Sequence, residues 1–296
     1  MIFDLTSQGR PYDYLHNVNH GDTVLDQAEA DFGVLEFLSD RQKDVTFVSG
    51  DINLESNIKR VKHQFEVLSD PWWYIQTKAG LKPRLDFQPD FRYNVIFMSG
   101  EPRYSRIITM RRLHKYDRFV YSNLNPLESV ETKNLRCNGW NSEHLVNFRF
   151  PDFDPKQKLL TEEGDCILEY APMEYWESVI DLVGEPYTHH GASVTEKTFK
   201  PLFWQKPFLI LGGQGIHTFL KNEGFELYDE IFDYSFDNEP FCVRWHSIMN
   251  QMKVILETDT QEFASYIHKN FDIAYKIKHN YELIRTVRSR PLRFTF

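Results

Sequence analysis

Three short segments place charged or glycine-rich chemistry where a helix is predicted to begin. Gly100-Glu101-Pro102-Arg103-Tyr104-Ser105-Arg106 carries two arginines between a strand end and a helix start. A diphosphate there would meet the positive end of the helix dipole and a guanidinium able to grip it through two N–H groups. Surface salt bridges are the other use of Arg103 and Arg106. Val194-Thr195-Glu196-Lys197-Thr198 again opens a predicted helix, with Thr195 as its N-cap and Glu196 as a favourable first-turn acid. Lys197 does not fit a simple cap, because a cation in the first turn opposes the dipole unless an anion is present. Gly212-Gly213-Gln214-Gly215 follows a strand and opens a third helix. Gly213 and Gly215 match two glycines of a dinucleotide-binding turn, but Thr218 stands where the third belongs, so a plain tight turn competes with a direct nucleotide contact at Gly213.

Other chemistry is thinner. His189 and His190 are adjacent on a loop without further ligands at metal-site spacing. The three cysteines, Cys137, Cys166 and Cys242, are odd in number and widely scattered, which indicates neither a disulfide framework nor a zinc cage. No Ser-His-Asp or Cys-His signature is present. The expectation is therefore no metal and no cofactor.

The balance of the chain is globular: of 296 residues, 41% are hydrophobic, 15% aromatic and 26% charged, which excludes a disordered chain and a coiled coil. No run approaches the 18 or so apolar residues of a membrane span, and the N-terminus lacks the pattern of a secretory signal, so a cytoplasmic protein is expected. A net charge of −9 disfavours non-specific polyanion binding, yet charge is uneven. Seven basic residues (Arg92, Arg103, Arg106, Arg111, Arg112, Lys115, Arg118) fall between positions 92 and 118 against two acids. A second basic cluster (Lys276, Lys278, Arg285, Arg288, Arg290, Arg293) marks the tail, and six acids without a base occupy 225 to 239.

Strands alternating with helices must position these residues. Strands are predicted at 45–50, 93–100, 118–122, 176–184, 207–212 and 225–228, and helices at 51–62, 106–116, from 195, and at 216–223 ahead of Gly224. Lys82 to Asp90 resembles a linker. This alternation means a parallel α/β sheet, in which ligands bind beyond the C-terminal strand ends at helix N-termini. The expected division is 1–90 as a first domain, 91–255 as a second, α/β domain, and 256–296 as a helical tail, in which Glu262 to Arg288 packs back on the first domain.

Two of these motifs together carry a resemblance. The run from Trp176 through Gly184-Glu185 and Val194-Thr195-Glu196-Lys197 to Lys206-Pro207-Phe208-Leu209-Ile210-Leu211-Gly212 is similar to the donor-binding motif of the family 10 α-1,3-fucosyltransferases and related viral or bacterial glycosyltransferase-like proteins. The Ser99-Gly100-Glu101-Pro102 strand end, the helix opened by Arg106 and the Val120-Tyr121-Ser122-Asn123 strand resemble the same family's first nucleotide-binding unit. The match spans roughly residues 92 to 240. It implies a GT-B architecture, two Rossmann-like domains facing a cleft. It also implies an inverting, metal-independent glycosyltransferase, with 91–255 holding a nucleotide-sugar donor and 1–90 on the acceptor side. The acceptor hydroxyl belongs to a glycan or, as the two basic clusters favour and the net charge of −9 disfavours, to a modified base of viral DNA. A non-catalytic nucleotide-sugar-binding module is the alternative. Carried over by position, Arg106 and Lys197 would neutralise the diphosphate, Glu196 would bond the ribose or sugar, and Glu185 would lie near the donor. A carboxylate base is implied in the first domain, with Asp51 and Glu55 the candidates by location. Ser193 and Pro186 depart from the family's aromatic and Asn, which leaves the donor base and sugar open. The Asp152-x-Asp154 pair after a strand-like run is the feature that would instead suit a metal-dependent transferase, or a solvated Pro-Asp turn.

Overall fold

The computed structural model describes residues 2–4, 15–26, 32–50, 66–69, 72, 90–98, 104–121, 173–185, 188 and 193–290. Among these residues are two four-stranded sheets, each parallel throughout. The first holds β1 (Ile2–Asp4), β2 (Thr23–Asp26), β3 (Thr46–Ser49) and β4 (Glu66–Ser69) in sequential order, with α1 (Phe32–Asp40) between β2 and β3. Val24, Val34, Leu38 and Phe47 form its core with Leu15, Val18 and Val45.

The second sheet comprises β5 (Tyr93–Phe97), followed by α2 (Tyr104–Leu113); β6 (Phe119–Tyr121); a one-turn α3 (Met173–Trp176); β7 (Ser178–Gly184), followed by α4 (Glu196–Phe203); and β8 (Phe208–Leu211), followed by α5 (Ile216–Asn222). Its order is β6-β5-β7-β8. All seven residues of β7 and all four of β8 are buried, as expected of parallel strands covered on both faces. Three helices close the chain: α6 (Phe241–Glu257), α7 (Thr260–Lys269) and α8 (Phe271–Arg288). Asn94 on β5 fastens the end of α6 by donating from Nδ2 to the carbonyls of Ile255 and Thr258, at 2.5 and 2.8 Å. Asp259 and Asn270 cap α7 and α8 through their side-chain oxygens. Among the described residues, α6 packs on α2, β5 and β8, α7 on β5 and β7, and α8 on α4 and α7. No described helix is long and apolar enough to cross a membrane.

Two features differ from the expected elements. Residues 225–228 are not a strand, although Phe225, Leu227 and Tyr228 are buried. Asn280 of α8 takes the place of a neighbouring strand: its Oδ1 accepts from Glu226 N at 2.8 Å and its Nδ2 donates to Glu226 O at 2.9 Å. Trp72, on the N-terminal side of the expected linker, belongs to the second core, packed among Phe199, Phe219 and Phe225 with Nε1 donating to Glu223 at 3.0 Å.

Candidate functional site

β5 and β7 are neighbours, but the chain leaves them in opposite directions, to β6 and to β8. With right-handed crossovers α2 and α4 lie on opposite faces of the sheet, and the C-terminal ends of β5 and β7 form its topological switch point, where sheets of this kind open a crevice. Arg106, Glu185, Glu196 and Lys197 all belong to the elements that flank this crevice.

Arg106 in the first turn of α2 is 2% exposed and donates from Nη2 to the carbonyl of Gly184 at 3.0 Å. That approach needs a glycine. A Cβ on residue 184 would lie 2.8 Å from Phe97 Cε2 and 3.7 Å from Arg106 Cγ. Glu185, wholly buried, turns its carboxylate onto the start of α4. Oε1 accepts from Thr195 N at 3.0 Å and Thr198 Oγ1 at 2.6 Å, and Oε2 accepts from Thr195 Oγ1 at 2.5 Å. Burial pushes this carboxyl above its ordinary pKa, and the Lys197 charge and the two hydroxyls only partly offset that. Thr195 is the N-cap, its Oγ1 accepting from Lys197 N. Glu196 and Lys197 then form an ion pair, with 14% and 15% of their side chains exposed. Burial also raises the Glu196 carboxyl, but the charge and hydrogen bond of Lys197, the residue's own backbone N–H and the Arg106 charge together make the net shift downward. This partly exposed pair is able to exchange partners: an anion can take the ammonium and a hydroxyl the carboxylate. Ser193 Oγ, immediately upstream, is buried and has no hydrogen-bond partner among the described residues.

The neighbouring turn is arranged differently. Gly215 is the N-cap of α5 at φ 78°, a left-handed conformation that explains the glycine, and its N–H donates to Asp237 O at 2.9 Å. The Asp237 carboxylate sits on the helix start, accepting from His217 N at 3.2 Å and Thr218 N at 2.7 Å. His217 Nε2 accepts from Ile210 N at 3.2 Å, so its proton lies on Nδ1 and is given to Asp237 Oδ1 at 2.7 Å. Burial raises the Asp237 carboxyl, yet the His217 ring and the hydrogen bonds from Thr218 hold it below the ordinary value. Gly213 is buried between this turn and the end of β8.

Beneath the strand ends lies a buried polar cluster the sequence did not flag. Burial pushes the Asp181 carboxyl on β7 up to about 6, and brings Lys200 of α4 down to about 8 and Lys206 down to about 7. Lys206 Nζ donates to the carbonyls of Tyr175 and Ser178, and Lys200 Nζ faces Met98 Sδ at 3.5 Å and the rings of Tyr175 and Trp204.

The structure brings Arg106, Glu185, Glu196 and Lys197 together at one crevice. Asp51, Glu55, Arg103, His189, His190, Asp152, Asp154, Cys137 and Cys166 lie outside the described residues. The basic cluster of 92–118 is dispersed. Arg92 pairs with Glu177 and Arg118 with Asp259, Arg106 is buried, and Arg111, Arg112 and Lys115 lie at the C-terminal end of α2, the pole opposite the crevice. In the tail, Lys276 pairs with Asp229 and Glu230, Lys278 with Glu282, and Arg285 stacks on Tyr281.

No family model and no curated protein matches the chain. Among solved structures it is similar to that of the DNA-modifying enzyme β-glucosyltransferase, determined with and without uridine diphosphoglucose. The TM-score is 0.46 and the identity 12%, over 97% of this chain and 77% of that one. It is also similar to an apo structure of OtsA, with a TM-score of 0.31 and 11% identity over 95% of this chain and 76% of that one.

Proposed function

We propose that the chain is a glycosyltransferase that binds a nucleotide-sugar donor at the β5/β7 crevice and passes the sugar to an acceptor hydroxyl with inversion. The observation that carries this reading is the Glu196–Lys197 pair. It is an ion pair left partly open at the first turn of a helix whose start is fixed from below by Glu185, Thr195 and Thr198. In this reading Lys197 leaves Glu196 to meet the diphosphate, and the freed carboxylate accepts from a ribose or sugar hydroxyl. Arg106, held on Gly184, adds positive charge from beneath rather than direct contact. The acceptor oxygen attacks the anomeric carbon as a carboxylate takes its proton, Asp51 being the candidate. The bond to the β-phosphate oxygen breaks, and the departing nucleoside diphosphate leaves against fixed cations. Transfer in this scheme is metal-independent. A glycan suits the acceptor better than nucleic acid, because Arg111, Arg112 and Lys115 lie at the opposite pole from the crevice, and in the tail Lys276 and Lys278 are paired with carboxylates.

A thermal-shift panel of nucleotide-sugars tests this, since a ligand at 100 times its dissociation constant adds about 2.7 kcal/mol to stability. One class of donor is expected to raise Tm and to be slowly hydrolysed to free sugar and nucleoside diphosphate, with hydrolysis persisting in excess EDTA. Stabilisation without turnover, with or without acceptor, would mark a non-catalytic binding module. Absence of any shift would refute the donor site.

A further inference from the structure

We propose that Arg244 is the positioning residue of the crevice, a buried cation that locks the β7–α4 and β8–α5 loops to each other and to the start of α6. The guanidinium is 3% exposed and binds three carbonyls from three separate segments: Glu239 at 2.6 Å through Nη1, and Gly212 at 3.1 Å and Thr188 through Nη2. Glu239 leads into α6, Gly212 ends β8, and Thr188 lies between β7 and α4. The planar fork of arginine suits such a junction, because its N–H groups diverge at fixed angles toward separate acceptors.

Stability alone does not account for this residue. Buried charges are ordinarily compensated at contact, yet among the described residues Arg244 has no carboxylate within ion-pair distance: its direct partners are neutral carbonyls, and Asp237, which favours its charge, acts from farther away. Arg244 also lies in the first turn of α6, where a cation opposes the helix dipole. The junction is continuous with the crevice. Gly212, whose carbonyl accepts from Arg244, is packed against Glu185, so that a Cβ added there would stand 3.5 Å from Glu185 Cβ. Arg244 therefore acts through Gly212 and Glu185 on the start of α4, and an anion bound there adds to the longer-range compensation that Asp237 supplies. The anionic ligand rests on the donor reading given above; the bracing of the loops does not.

The test uses the intact chain and the variants Arg244→Gln and Arg244→Lys. Hydrogen exchange of the unliganded proteins is read at residues 193–199 and 212–220, with β5 and α8 as internal references, and affinity is read with UDP and GDP. The expected result for Arg244→Gln is exchange at least tenfold faster in those two segments with the references unchanged, and affinity at least tenfold weaker. Arg244→Lys, which keeps the charge and part of the donor set, is expected to recover part of both. Exchange that is unchanged, or faster everywhere alike, would overturn the positioning role, as would wild-type affinity in Arg244→Gln. If wild-type protein binds neither nucleotide while the local exchange effect is seen, the brace is upheld and the donor reading is the one that fails.

Discussion

The starts of α4 and α5 sit side by side at the C-terminal edge of one sheet, and each has a buried carboxylate on it, yet the two carboxylates are in opposite electrostatic condition. Asp237 on α5 collects two backbone N–H groups and the His217 ring, and its pKa is lowered, so its charge favours folding. Glu185 on α4 accepts one N–H and two hydroxyls, and its pKa is raised, so its charge opposes folding. A start closed by a stabilising cap has no need of a ligand. A start built around a costly buried charge, with a lysine in its first turn and an ion pair left partly open, is where the fold gives up stability, and such places are candidate functional sites. Glycine content points the other way: the Gly-Gly-Gln-Gly turn leads to the closed start.

The largest expected effect breaks this comparison by stability. Asp237→Ala leaves two helix N–H groups and the His217 Nδ1 proton without their acceptor and is expected to cost about 3 to 5 kcal/mol in urea unfolding at pH 7. Glu185→Gln, whose amide can still accept and donate to the same threonines, is expected to stay within about 1 kcal/mol of wild type. Equal losses in the two variants would remove the distinction. Next in size, Gly184→Ala drives a methyl into the ring of Phe97 and disturbs the seat of Arg106, at about 1 to 3 kcal/mol by thermal unfolding. An unchanged Tm would show that the end of β7 yields easily.

The pH dependence sharpens the same contrast. A raised folded-state pKa at Glu185 gives stability that is fully present below the ordinary carboxyl value of 4.5 and is lost as pH rises through the folded value. A lowered one at Asp237 gives stability present above 3.8 and lost as pH falls through the folded value. Glu185→Gln should therefore flatten the decline on the neutral side of 4.5, and Asp237→Asn should flatten the acid limb below 3.8, in unfolding curves taken from pH 3 to 8. A swapped pattern would reverse the assignment. The smallest effect is expected from Arg111→Glu, Arg112→Glu and Lys115→Glu combined. At the far pole of the sheet they should change donor affinity less than about twofold at physiological salt, where fields fade over about 8 Å.

The second sheet was legible in the sequence because Val95-Ile96-Phe97 and Phe208 to Leu211 are unbroken apolar runs and Val179 to Val183 is interrupted only by Asp181, the mark of strands buried on both faces. The first sheet was mostly illegible. Its strands are three or four residues long, too short for a periodicity to show, and only the one around Phe47 stood out. Phe225 to Tyr228 misled because its buried aromatics read as a strand while the backbone partner is a side chain of α8, 54 residues away. At the site, Lys197 was visible as a cation that its helix position does not explain. Glu185 was reachable only through resemblance to a family. Asp237 and Arg244 were not reachable at all, since Asp237 acts on residues 19 and 20 positions away, Arg244 joins its own helix start to residues 32 and 56 positions away, and neither stands in a recognisable motif.

The central claim is that the α4 start holds the donor diphosphate and the α5 start does not. Isothermal titration of wild type, Lys197→Ala and Asp237→Asn with the nucleoside diphosphate of the best donor, at a temperature where all three are folded, measures this directly. Loss of one charge-assisted contact, worth about 1.5 to 3 kcal/mol, should weaken binding by Lys197→Ala roughly tenfold or more, while Asp237→Asn binds as wild type does. Wild-type affinity in Lys197→Ala together with loss in Asp237→Asn would contradict the account and move the site to the glycine turn.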